Sequence, residues 1–245
     1  MHSRIIVIPL LLTMALSTTC RQMSAQDPDD QVIGKLNACF DEIYRLDQKL
    51  ISGIQYYNKY PGALGNEFFD SEEFIRGRLV INGLEYNDVD IRYDIYNQRI
   101  NLRFKYNSSA MNTVIIERYK IDEFNLGDMI FRKHYFPETD TALFQIVTEG
   151  KISCLYYWYK NLTLQTSKRN VYEYSEPRRK NFLLFNSELH RYKGKQSFIK
   201  LFAKNRSEVR KYLRQNQIRL RDVTDREMGK LIEYCISLSN TEFTE

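Results

Sequence analysis

From Ile75 to about Leu189 the apolar residues recur at every second position, in short runs broken by turn residues. Side chains of a strand alternate between its two faces, so this period describes strands with one face buried. Ile100-Asn-Leu-Arg-Phe-Lys-Tyr106 alternates strictly. Ile91, Tyr93 and Ile95 alternate with Arg92 and Asp94, and Asn82-Gly83 between two such runs is a two-residue hairpin turn, since both residues tolerate positive φ. Further strands are expected at 113–119, 129–135, 142–148, 151–159, 170–174 and 182–189. Short polar turns between successive strands imply an antiparallel meander. About nine strands predict a curved sheet or an open barrel.

Helical periods flank the sheet. Asp27, Asp29 and Asp30 precede Ile33, Leu36, Phe40, Ile43, Leu46 and Leu50, which share one face of an N-terminal helix. Residues 26–60 are thus read as a helix and an extended connector, 75–192 as the sheet and 196–240 as a C-terminal helical segment. In that segment, Asn205 to Glu208 and Thr224 to Glu227 have the spacing of capping boxes ahead of two short amphipathic helices. The fold class is α+β, with both helical parts packing on the sheet.

Residues 1–25 carry an address rather than a fold. His2 and Arg4 lead into an apolar run from Ile5 to Leu16, and Met23-Ser24-Ala25 precedes Gln26. That is the layout of a cleavable secretory signal, with a run too short to span a bilayer. Cleavage leaves 220 residues. Cys20 offers a second outcome, lipidation as a membrane anchor, although Ser17 and Thr19 depart from the lipoprotein pattern. Nothing in the mature sequence approaches the length of a spanning helix.

The charge is unevenly placed. Between Gln165 and Arg221, sixteen Lys and Arg stand against four Asp and Glu. Such a surface suits phosphate-bearing partners, and export turns it from nucleic acid towards envelope lipid head groups. Arg178, Arg179 and Lys180 follow Pro177 and are expected in a hairpin loop. Arg206, Arg210, Lys211 and Arg214 fall on one face of the first C-terminal helix, and together the seven form a candidate anion surface. A second candidate site lies in the strand from Cys154 to Lys160, where Tyr156 and Trp158 share a face on which a sugar ring can stack and Lys160 adds a charge. Asp94 shares a face with Arg92 and is read as a surface ion pair or turn residue.

The motifs of familiar chemistries are missing. His134 and His190 lie far apart without zinc-ligand spacing, and no nucleophile elbow, phosphate loop or dinucleotide fingerprint occurs. No cofactor is implied. Cys39, Cys154 and Cys235 are too few and too scattered for a disulfide framework, which leaves buried thiols, or one pair and one thiol. Asp140-Thr141-Ala142 fits a short O-glycosylation pattern at Thr141.

The block from Gly77 to Gln98 resembles a motif of uncharacterised exported, cell-envelope proteins of Bacteroidota. In these a strand pair precedes a Tyr-Asp strand and a meander, and a Lys/Arg-rich helical pair closes the chain. The resemblance implies an envelope location and carries no activity. The chain is therefore read as an exported, non-catalytic binding or scaffold protein for an envelope protein, glycan or lipid head group. An outer-membrane β-barrel and a carboxylate-based hydrolase are the alternatives.

Overall fold

The computed structural model describes residues 53–106, 110–136, 140–168 and 170–240, all within one unit spanning 46–245. The signal, Cys20, Cys39 and the expected N-terminal helix lie outside the described residues. Thirteen strands appear in chain order: β1 (Ile54–Gln55), β2 (Ile75–Ile81), β3 (Leu84–Asp94), β4 (Arg99–Tyr106), β5 (Ala110–Glu117), β6 (Ile121–Leu126), β7 (Met129–Phe136), β8 (Asp140–Thr148), β9 (Ser153–Tyr159), β10 (Leu162–Gln165), β11 (Val171–Tyr174), β12 (Arg178–Phe185) and β13 (Glu188–Tyr192). Three helices follow, α1 (Lys195–Leu201), α2 (Arg206–Gln215) and α3 (Asp225–Asn240).

Eleven strands form one antiparallel sheet in the order β1-β5-β4-β3-β2-β6-β7-β8-β9-β12-β13, and β10 with β11 makes a separate ribbon. The α+β meander is as expected, but with more strands than nine. β6 escapes a period-two reading because the β2–β6 register shifts between Val80 and Ile81, leaving Asp122 as the extra residue of a bulge. β12 and β13 read as one run, yet Asn186 and Ser187, both at positive φ, turn the chain back between them. The residues beyond Gly53 are more than a connector, since Ile54 pairs with Ile115 at the sheet edge.

The sheet is rolled. β9 stands five strand steps from β3, about 24 Å in a flat sheet at roughly 4.8 Å per step. Yet Gln98, just beyond β3, donates from Nε2 to the Trp158 carbonyl on β9 at 2.8 Å. Inside the roll, Phe124 and Phe131 stack with centroids 4.7 Å apart, and Tyr93 meets both edge-on. Ile91, Ile100, Leu102 and Leu143 complete this core.

This interior speaks against an outer-membrane barrel, which carries its apolar band outside and a polar lumen within. Here the interior is apolar, the outward positions of β3 and β4 include Asp90, Arg99 and Arg103, and β1 and β13 end the sheet as edges. No helix of the described residues is long and apolar enough to cross a membrane.

A second core joins β9 and β12 to the helices through Leu183, Phe198, Leu213, Leu231 and Ile232. The Thr224 capping box is formed: Glu227 accepts from the Thr224 N–H at 2.9 Å, and Thr224 Oγ1 accepts from the Glu227 N–H at 3.3 Å. The Asn205 box is not, for Asn205 makes no side-chain cap bond and Glu208 bonds Ser207 instead.

Candidate functional site

Backbone pairing builds the most elaborate surface feature. Beyond β1 the chain leaves the sheet edge, then returns to its end. There Phe69 N–H donates to the Tyr93 carbonyl at 2.9 Å, and Ile95 N–H to the Glu67 carbonyl at 3.1 Å. Phe69 turns inward against Phe131 and Trp158. Phe68 turns outward beneath the Arg92 guanidinium, 3.8 Å from its ring, with Phe74 4.5 Å and Tyr56 4.8 Å from the same cation. Lys160 clamps this segment from beneath. Only 8 % exposed, it donates from Nζ to Asn66 O and Oδ1 at 2.8 and 3.1 Å, and burial lowers its pKa.

Between β1, this segment and the β3–β4 turn lies a cleft of about 540 Å³, lined by Gln55, Tyr57, Lys59, Tyr60, Glu67, Tyr96, Asn97, Arg99 and Tyr174 together with Ile54 and Ile115. That volume falls in the roughly 300–1,000 Å³ range of small-molecule sites. Tyr57 is 75 % exposed, whereas Tyr174 is buried and packs edge-on against Tyr96 at 5.4 Å. Tyr60 rests on Tyr172 of β11, ring centroids 4.8 Å apart, and Leu64 bonds the same strand through its backbone. The Tyr56 hydroxyl donates to Glu67 Oε1 at 2.7 Å. Desolvation and that carboxylate push the Tyr56 pKa up.

Asp94 anchors the turn. Fully buried, it accepts from Asn97 N and Nδ2 at 2.8 Å each and from Arg99 Nε at 2.9 Å. It is a turn residue, as read from sequence, but its ionic partner is Arg99 and not Arg92, which lies in the aromatic cage. Hairpin register brings Arg99 directly opposite Asp94, a pairing that alternation along one strand does not reveal.

The sequence-derived candidates sit elsewhere. Tyr156 is fully buried, and Arg179 covers it at 4.1 Å from the ring centroid while reaching Trp158 at 5.7 Å. Trp158 Nε1 donates to Gln145 Oε1 at 2.7 Å, and Gln145 Nε2 donates to Asp225 at the start of α3 at 2.6 Å. The face expected to take a sugar thus docks the helices, and Lys160 holds Asn66. Arg178, Arg179 and Lys180 are strand residues of β12, opposite Tyr159, Trp158 and Tyr157, rather than a loop. Lys180 lies 5.3 Å from the Tyr157 and Tyr159 rings. Arg206, Arg210, Lys211 and Arg214 are exposed on α2, as expected, so the seven cations divide between a strand and a helix. Thr141 lies within β8, half-buried and paired with Tyr135.

Neither a family model, nor a curated protein, nor a solved structure matches this chain. Its site is therefore read from its own chemistry. Among the described residues no group of three or more His, Cys, Asp or Glu converges to hold a metal ion. Cys154 and Cys235 are buried thiols, each with its pKa pushed up to about 12 by desolvation. A buried thiol that stays protonated is a poor nucleophile. Both are expected to resist a thiol reagent in the native protein and to react fully in denaturant. Site-resolved mass spectrometry checks this, and native labelling of either would contradict it.

Proposed function

We propose that the chain is an exported protein of the cell envelope that binds a ligand without transforming it. The observation that carries the reading is the cleft. Tyrosine rings and amides line it together with Lys59, Glu67 and Arg99, and Asp94 beside it has its carboxylate engaged by Asn97 and Arg99. Acid–base hydrolysis of a glycosidic bond needs a pair of facing carboxyl groups, and Glu67 is the one carboxyl residue in the lining, whereas contact recognition needs fixed rings and fixed polar groups. The export half rests on the signal-like residues 1–25 and on the resemblance to envelope proteins of Bacteroidota.

Fractionating the native cells, with N-terminal sequencing of the mature protein, tests the location. An N-terminus at Gln26 in the detergent-free extracytoplasmic fraction is expected. Lipid labelling abolished by Cys20→Ala would replace the soluble form with an anchored one. A cytoplasmic chain that retains Met1 would overturn export.

A further inference from the structure

The chemistry lining the cleft restricts what it can hold. Its formal charges balance: Arg99 is neutralised by Asp94, and Lys59 and Glu67, the other charged residues of the lining, are opposite in sign. A strongly charged ligand would leave one of these without compensation. Its apolar groups are mainly phenol rings, which offer a flat apolar face and a polar rim. Tyr57 presents its ring almost uncovered, and Tyr60 is braced from behind by Tyr172. Bracing fixes a ring before a ligand arrives and lowers the ordering cost of binding.

The polar groups are also pre-set. The Tyr56 hydroxyl occupies Glu67 Oε1 and so orients the carboxylate, with Oε2 left to accept from a hydroxyl donor. Asp94 accepts from both the backbone and side-chain nitrogens of Asn97, which turns the Asn97 amide to a fixed angle with its oxygen still able to accept. Gln55, also in the lining, offers both a donor and an acceptor. Flat, partly apolar rings that carry many hydroxyls and no net charge match such a surface.

We propose that this cleft is a binding site for uncharged saccharides, in which Tyr57 and Tyr60 stack on the sugar faces while Glu67, Asn97 and Gln55 bond the hydroxyls. The proposal rests on the reading of the chain as a binding protein and names its ligand class. Screening the full-length mature protein against an array of neutral and acidic glycans, followed by calorimetry on the best hit, tests it. A neutral oligosaccharide is expected to bind with an affinity that added salt leaves unchanged. Tyr57→Ala, at an exposed position that folding does not need, is expected to weaken binding roughly tenfold or more, as for a contact at the centre of a small interface. Tyr57→Phe keeps the ring and is expected to keep binding, and Glu67→Gln is expected to weaken it.

Binding confined to acidic glycans and abolished by salt would overturn the proposal, as would affinity indifferent to Tyr57→Ala. If no glycan binds, native mass spectrometry of the protein purified from its own cells separates the two levels. A non-saccharide ligand lost in Tyr57→Ala would sink the sugar assignment and leave the binding reading standing. Identical spectra for the wild type and Tyr57→Ala, with no ligand in either, would sink both.

Discussion

Replacing Phe131 by alanine is expected to lower the unfolding free energy by about 3–5 kcal/mol, the range for a large aromatic removed from a core. Phe131 is fully buried on β7. Its ring stacks on Phe124 almost in parallel, at 3° between the planes, and receives the edges of Tyr93 and Phe69. The contacts come from β3, β6 and the segment ahead of β2, and thus from across the roll as well as along it. The surrounding wall is hydrogen-bonded sheet, which cannot collapse into the void as a loop can, so the upper part of the range applies. Denaturant titration checks it, with the midpoint falling at an unchanged slope. Tyr135→Ala on the same strand is the control. Its ring is 69 % exposed, so a change within about 0.5 kcal/mol is expected. Equal losses in the two variants would mean that the aromatic stack is not the centre of the fold.

The strands that meet in this stack were unequally visible in the sequence. β3 and β4 announce themselves because every second residue faces the core and Asn82-Gly83 marks the preceding turn. β6 supplies Phe124 to the same core, but the bulge at Asp122 sets Phe124 three positions after Ile121, where alternation needs an even number, and so breaks the period. Arg178, Arg179 and Lys180 have the sequence pattern of a loop, three cations after a proline. They form a strand because Pro177 precedes the pairing and their side chains cover aromatic rings of β9. In each case a partner strand decides what the local pattern does not.

The cleft was harder to read, for the same reason carried further. Residues 53–74 show no sustained period, and their placement depends on backbone bonds to Thr113, Tyr93, Ile95 and Tyr172, all distant in sequence. One local signal existed, the cluster Tyr56-Tyr57-Asn-Lys-Tyr60 ahead of Pro61-Gly62, an aromatic density that a solvated turn does not need. Trp158 is the single tryptophan of the chain. Its alternation correctly paired it with Tyr156, but period alone does not distinguish a face covered by α3 from one open to a ligand.

Arg99→Met is expected to cost about 3 kcal/mol at neutral pH, the lower end of the 3–5 kcal/mol typical of a buried pair that loses one partner. The lower end applies because Arg99 keeps 21 % of its side chain exposed, so water can take part of its place, whereas Asp94 has no exposure. Burial holds the Asp94 pKa above the usual carboxylate range even with Arg99 and Asn97 donating to it, desolvation being the largest influence. The sign follows. A folded state that raises the pKa of an acid binds its proton more tightly than the unfolded chain, so this contribution to stability is present at low pH and lost as the pH rises through the folded value. Asp122 and Glu123 act in the opposite direction. Lys133 holds Asp122 low, Arg132 and Arg78 hold Glu123 low, and their contributions are lost as the pH falls. Without the guanidinium, Asp94 rises further, so the deficit of Arg99→Met relative to the wild type should shrink steadily as the pH is lowered from neutrality into the acid range. Asp94→Asn combined with Arg99→Met removes the stranded charge and should recover part of the loss at neutral pH, leaving a coupling that a double-mutant cycle reads directly. A deficit of constant size at every pH would show that Arg99 acts by packing. The same turn carries Tyr96 and Asn97 into the cleft, so a variant that loosens it should weaken ligand binding even at a pH where the fold itself has recovered.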